Sequence, residues 1–204
     1  MTEPLHIDGL DKLGDWEAFC RDPENIGRRE PGYKFAFYRK LQLIKLVAMS
    51  FGGVLTPPFV SLDEEGRKSF TFSQRDLLGV DLLKKYGMVV VVISNRRTKV
   101  VEKRCHKMNI PYYSACNAEE DDKKRILQKV IYEGGLFESQ AMYIGDEIND
   151  LEVMRVGSVA VAVRDARPQV RAIADYVTTA EGGKHAVREV AELLLAANNH
   201  ELKL

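Results

Sequence analysis

Four short polar clusters stand where chemistry could be done, each directly after an apolar run or at the opening of a helical pattern. They are Ser50-Phe51-Gly52-Gly53-Val54-Leu55-Thr56, Ser94-Asn95-Arg96-Arg97, Asp121-Asp122-Lys123-Lys124 and Gly145-Asp146-Glu147-Ile148-Asn149-Asp150. Carboxylates hold hard, oxygen-loving cations, and a single lysine or arginine is enough to meet a phosphate. Taken singly, each cluster also has a plainer reading. Gly-Asp-x-x-x-Asp alone is a common loop, and Lys123 with Lys124 makes a solvated helix face. Ser94 is equally a cap at a strand end, and Asn95-Arg96-Arg97 a surface turn. Arg75 suits a structural ion pair as well as a ligand. His6, His106, His185 and His200 show no metal-ligand spacing. Cys20, Cys105 and Cys116 are odd in number and irregularly spaced, so they give no disulfide framework.

Such clusters cooperate only if regular elements deliver them to one place. The runs Leu43 to Met49, Val89 to Ile93, Ala141 to Ile144 and Val159 to Val163 are short, β-branched and nearly continuous, as strands buried on both faces of a parallel sheet are. Helical patterns lie around and between them: Tyr33 to about Gln42, Asp76 to Tyr86, Thr98 to Met108, Asp121 to Glu133, a short one from Leu151, and Lys184 to Ala197. This alternation predicts an α/β fold, a Rossmann-like three-layer doubly wound parallel sheet. Ligands of such sheets sit beyond the carboxyl ends of the strands, where the polar clusters fall. One piece breaks the alternation. Phe59 to Leu62, a turn at Asp63-Glu64-Glu65-Gly66, and Arg67 to Phe72 read as a β-hairpin too small to be a cap domain. Its unpaired edges make it an oligomerisation candidate. Residues 1–40 are expected to form an N-terminal extension and 41–204 the domain. The first part of the extension reads as a docking arm, punctuated by Pro and Gly and carrying Trp16 and Phe19 on one face of a possible helix.

The four clusters, in this order and spacing, resemble the motifs of haloacid-dehalogenase-type phosphatases. The resemblance is closest to the capless subfamily that includes 3-deoxy-D-manno-octulosonate 8-phosphate phosphatase. Gly145 to Val163, Ala174 to Thr178, Gly182 to Val190, and the hairpin followed by Arg75-Asp76 all carry it. The first strand of that family ends in Asp-x-Asp-Gly-Val-Leu-Thr. Its first aspartate attacks phosphorus and binds magnesium; its second shuttles a proton and lends its backbone carbonyl to the metal. Ser50 and Gly52 stand at those positions here, with Gly53-Val54-Leu55-Thr56 in register. The resemblance further implies that Ser94, with Asn95 in place of a glycine, and Arg96 bind phosphoryl oxygens. It makes Lys123 the phosphate lysine, with Lys124 its rival. Asp146 would ligate magnesium with the Gly52 carbonyl, Asp150 would be a weak ligand or a supporting group, and Arg75 would reach the substrate.

Loss of both first-strand carboxylates controls the functional expectation. A serine hydroxyl needs a base, and the nearest family base has become a glycine. Removing a covalent nucleophile costs up to roughly 10⁶ in kcat, about 8 kcal/mol of barrier. The expectation is therefore a pseudo-phosphatase that binds a phosphorylated small molecule, such as a sugar phosphate, or a partner. The alternative is an active magnesium-dependent phosphomonoester hydrolase. Mg2+ held by one carboxylate binds weakly unless phosphate completes its shell.

The 204 residues hold 30 basic and 30 acidic side chains, a balance that argues against nucleic-acid binding. No apolar run reaches the roughly 18 residues of a membrane span, and the first thirty residues carry no signal-peptide core. A cytoplasmic protein is expected, and the resemblance suggests a homotetramer.

Overall fold

The computed structural model describes residues 31–95, 98–115 and 122–198. In chain order the elements are α1 (Pro31–Leu43), β1 (Leu46–Met49), β2 (Ser61–Leu62), β3 (Lys68–Ser69), α2 (Gln74–Lys85), β4 (Val89–Ser94), α3 (Lys99–Met108), β5 (Tyr112–Ser114), α4 (Lys123–Glu133), β6 (Ala141–Gly145), α5 (Leu151–Met154), β7 (Val159–Ala162), α6 (Pro168–Ile173), β8 (Tyr176–Val177) and α7 (Ala186–Ala197). Six strands form one sheet in the order β5-β4-β1-β6-β7-β8, and every pairing in it is parallel. The expected doubly wound sheet is therefore present.

Strand β1 is the central fact of this topology. Leu46 is in register with Val89 of β4 on one side and with Ala141 of β6 on the other. Chain order thus reverses at β1, and a cleft opens beyond its carboxyl end, where doubly wound sheets bind ligands. All four residues of β1 are buried. Each large side chain in such a strand contributes roughly 1.5–3 kcal/mol by burial, which fixes the strand ends that carry the polar groups.

Helix caps set where the helices begin. Ser73 accepts the Asp76 N–H at the start of α2, Thr98 the Val101 N–H at α3, and Asp122 the Arg125 N–H at α4. Asn109, with φ 51°, closes α3 in the left-handed region. The boundary expected between residues 40 and 41 falls inside α1, whose Phe37 and Leu41 are fully buried in the common core. Phe37 stacks on Tyr176 with ring centroids 6.3 Å apart. The docking arm expected before α1 lies outside the described residues.

The hairpin is shorter than the sequence suggested. Its strands pair only Ser61 with Ser69 and Leu62 with Lys68, and Asp63 accepts the Arg67 N–H across the turn. Phe70 and Phe72 leave the ladder because both rings pack edge-on against Phe51, at 5.9 and 5.7 Å. No helix among the described residues is long and apolar enough to cross a membrane.

Candidate functional site

Three neighbouring strands deliver three polar residues to one end of the sheet. Ser50 follows β1, Ser94 ends β4 and Asp146 follows β6. The Ser50 N–H donates to the Ile144 carbonyl at 3.0 Å, tying the first of these turns to the strand that carries the third. A cavity of about 450 Å³ opens there, lined among others by Ser50, Gly52, Ser94, Asn95, Lys123 and Asp146. The hairpin forms another wall, with Val60, Leu62, Lys68 and Phe70.

A buried polar network forms the floor. The Lys123 ammonium donates to Asp150 Oδ1 at 2.7 Å and to Ser50 Oγ at 3.2 Å. Tyr143 OH donates to the same Asp150 oxygen at 2.9 Å. Asp150 Oδ2 accepts the backbone N–H groups of Asp146 and Glu147, at 3.1 and 3.3 Å. Both oxygens of this fully buried carboxylate are thus engaged by protein donors. Burial first, and the Asp150 charge second, push the Tyr143 phenol well above its ordinary pKa, so it remains a donor. Lys123 is the first residue of α4 and points inward, whereas Lys124 is exposed and lies 3.9 Å from Glu152. The apolar stripe of Ile126, Leu127, Val130 and Ile131 sets that phase.

Asp146 is the half-buried carboxylate of the cavity. Burial and the nearby Asp150 charge push its pKa up to about 7, against the opposing pull of Lys123. Its side chain lies over Gly53, where an added Cβ would come within 1.8 Å of Asp146 Oδ2. Gly53 also has φ 81°, so backbone conformation and the close approach both require glycine. Gly52 differs: a Cβ there would meet nothing within 4 Å.

The donors for a divalent ion are few. Asp146 supplies one carboxylate, Ser50 a neutral hydroxyl and Gly52 a carbonyl, while Asp150 is spent on four N–H and O–H donors. No group of three or more His, Cys, Asp or Glu side chains suited to a metal occurs among the described residues. These residues do not make a magnesium site on their own.

The far end of the chain holds the loop after β1. Gly183 N–H donates to the Val54 carbonyl at 2.7 Å, and Gly182 N–H to Asp165 Oδ1 at 2.8 Å. A Cβ on Gly182 would fall 1.8 Å from the Gly53 carbonyl oxygen. Asp76 accepts the N–H groups of His185 and Arg188, both at 3.0 Å, and so caps α7 from α2. Arg75 beside it is exposed and is not part of the cavity lining. Arg96 lies outside the described residues. Sequence reasoning missed Tyr143 and Lys68. A tyrosine inside an otherwise aliphatic strand was the available signal, because a buried phenol must find a partner; Lys68 carried none.

Comparison with known proteins agrees with this geometry. Residues 107–190 match the family of haloacid dehalogenase-like hydrolases. The 3-deoxy-D-manno-octulosonate 8-phosphate phosphatase of Escherichia coli strain K12 is 32% identical over 159 residues, which span 78% of this chain and 82% of that protein. The chain belongs to the haloacid dehalogenase-like hydrolases. Among solved structures of this family, the corresponding phosphatase of Moraxella catarrhalis, in complex with magnesium, phosphate and KDO, matches with a TM-score of 0.75 and 34% identity, covering 80% of this chain and 92% of that one. The cobalt-bound phosphatase of Haemophilus influenzae matches with a TM-score of 0.73 and 29% identity, over 78% and 92%. The chain is thus related to sugar-phosphate phosphatases, and the family resemblance read from its motifs holds.

Proposed function

We propose that this protein is a pseudo-phosphatase, which binds a phosphorylated small molecule of the sugar-phosphate kind without aspartate-dependent turnover. The carrying observation is the end of β1. It presents Ser50 and Gly52 to the cavity and no carboxylate, while Ser94, Asn95 and Lys123 remain around the same space. Hydroxyl, amide and ammonium groups suit phosphoryl oxygens. The missing carboxylates are the groups that a covalent phosphoryl transfer of the family kind would need.

The contact between Ser50 Oγ and Lys123 Nζ favours a second reading, an active phosphomonoester hydrolase with serine as nucleophile and magnesium assistance. So do the activities named for the relatives. Against it, Lys123 is the cation facing buried Asp150. Lysine as a base would have to give up that proton and leave the carboxylate uncompensated. Self-association through the hairpin, in a homotetramer, belongs to the same proposal. Phe59 and Leu62 are 82% and 64% exposed, which suits edges that a second copy would cover.

Hydrolysis of a phosphomonoester panel with magnesium tests the choice. The wild type is expected to show no turnover, and the double substitution Ser50→Asp with Gly52→Asp to gain it. Wild-type turnover that disappears in Asp146→Ala establishes the active hydrolase instead.

A further inference from the structure

We infer that this cavity binds a phosphate group without a divalent cation, with the buried Lys123 ammonium as a donor to it. The inference rests on the phosphate-binding reading above and concerns what balances the ligand's charge.

Charge at the inner end decides the matter. A site of the resembled pattern would carry carboxylates at positions 50, 52, 146 and 150 against one lysine. A phosphate dianion could enter only behind a metal that offsets the excess. Here positions 50 and 52 bring no charge. Asp150 is balanced by Lys123 at 2.7 Å and saturated by its other donors. Two lining carboxylates remain: Asp146, lying over Gly53, and exposed Glu147, which faces Arg167 at 4.0 Å. Opposing them, Lys68 stands on the hairpin wall, and α3 starts at the cavity behind its neutral Thr98 cap. That helix start carries the equivalent of about half a positive charge. The inner end is therefore close to neutral before any ion is added. The 5% exposed Lys123 ammonium sits in its floor, within hydrogen-bond reach of Ser50. The metal has lost most of its carboxylate ligands and its electrostatic purpose together.

Titration of the full chain with inorganic phosphate, followed by calorimetry in EDTA and again with excess Mg2+, tests this. Equal affinity in both conditions is expected. Gly52→Asp, which adds a carboxylate where a Cβ meets nothing within 4 Å, is expected to weaken binding in EDTA about tenfold and to recover it with Mg2+. Ser94→Ala should weaken binding equally in both conditions. Wild-type binding that needs Mg2+ overturns this inference and leaves the phosphate-binding reading standing. Absence of phosphate binding in both conditions overturns the reading itself, and the inference with it.

Discussion

Lys123 and Asp150 face each other at 2.7 Å, with 5% and 0% of their side chains exposed. A pair this deep adds little net stability over an apolar pair, but removing one member leaves a buried charge alone. Lys123→Met is therefore expected to lower the unfolding free energy by about 3–5 kcal/mol. Adding Asp150→Leu should recover part of that loss. Urea denaturation of both variants measures it, and a double variant as unstable as the sum of the singles would contradict the pairing.

Asp76 joins α2 to the first turn of α7 through two backbone N–H groups. Asp76→Ala should cost about 1–3 kcal/mol, the range for orphaned buried donors. Burial is the larger influence on its carboxyl and raises the pKa above 3.8, against the two N–H bonds. A raised folded value means that the group's contribution is complete below its unfolded pKa and is lost as pH rises through the folded one. The advantage of wild type over Asp76→Asn should accordingly shrink from acid toward neutral pH. Denaturant titrations across that interval would show the opposite slope if hydrogen bonding outweighed burial.

Gly183 and Gly52 border the same loop and should respond oppositely to a methyl group. At Gly183 the φ is 69° and a Cβ would lie 2.2 Å from the Pro57 nitrogen, so backbone must move. Gly183→Ala is expected to destabilise by more than about 1 kcal/mol, whereas Gly52→Ala should stay within about 0.5 kcal/mol. Thermal unfolding of the two variants compares them directly.

The exposed hairpin residues give an assembly test. Phe59→Glu with Leu62→Glu should convert the proposed tetramer to smaller species in sedimentation without lowering the melting temperature of the core. A wild-type mass equal to that of one chain removes the tetramer from consideration.

Strands β1, β4, β6 and β7 were legible because a strand buried on both faces must be apolar along its length. The edge strands β5 and β8 were not. Tyr112 to Ser114 are half-exposed, and Tyr176–Val177 is two residues long, so neither leaves a periodic trace. The polar clusters could be placed at strand ends, but their side-chain partners could not. Adjacent Lys123 and Lys124 differ by about a third of a helical turn, and it is Lys123 that shares the buried stripe of Ile126, Leu127, Val130 and Ile131. Asp150 read as a weak ligand or a supporting group, and its four donors are those of a supporting group. Phe70 and Phe72 alternated as strand residues do, while their attraction to Phe51 depended on contacts distant in sequence.

The contact of Gly182 and Gly183 with the loop after β1 also orders events during synthesis. Ser50, Ser94, Lys123 and Asp146 all leave the ribosome before Gly183 does, yet the Val54 carbonyl waits for that residue's N–H. Until then a nascent chain carries the cavity's polar groups without the strap that holds the loop after β1. Proteolytic clipping just before Gly183 would therefore free the loop after β1 and remove the core helix α7, while leaving Ser50, Ser94, Lys123 and Asp146 in the chain.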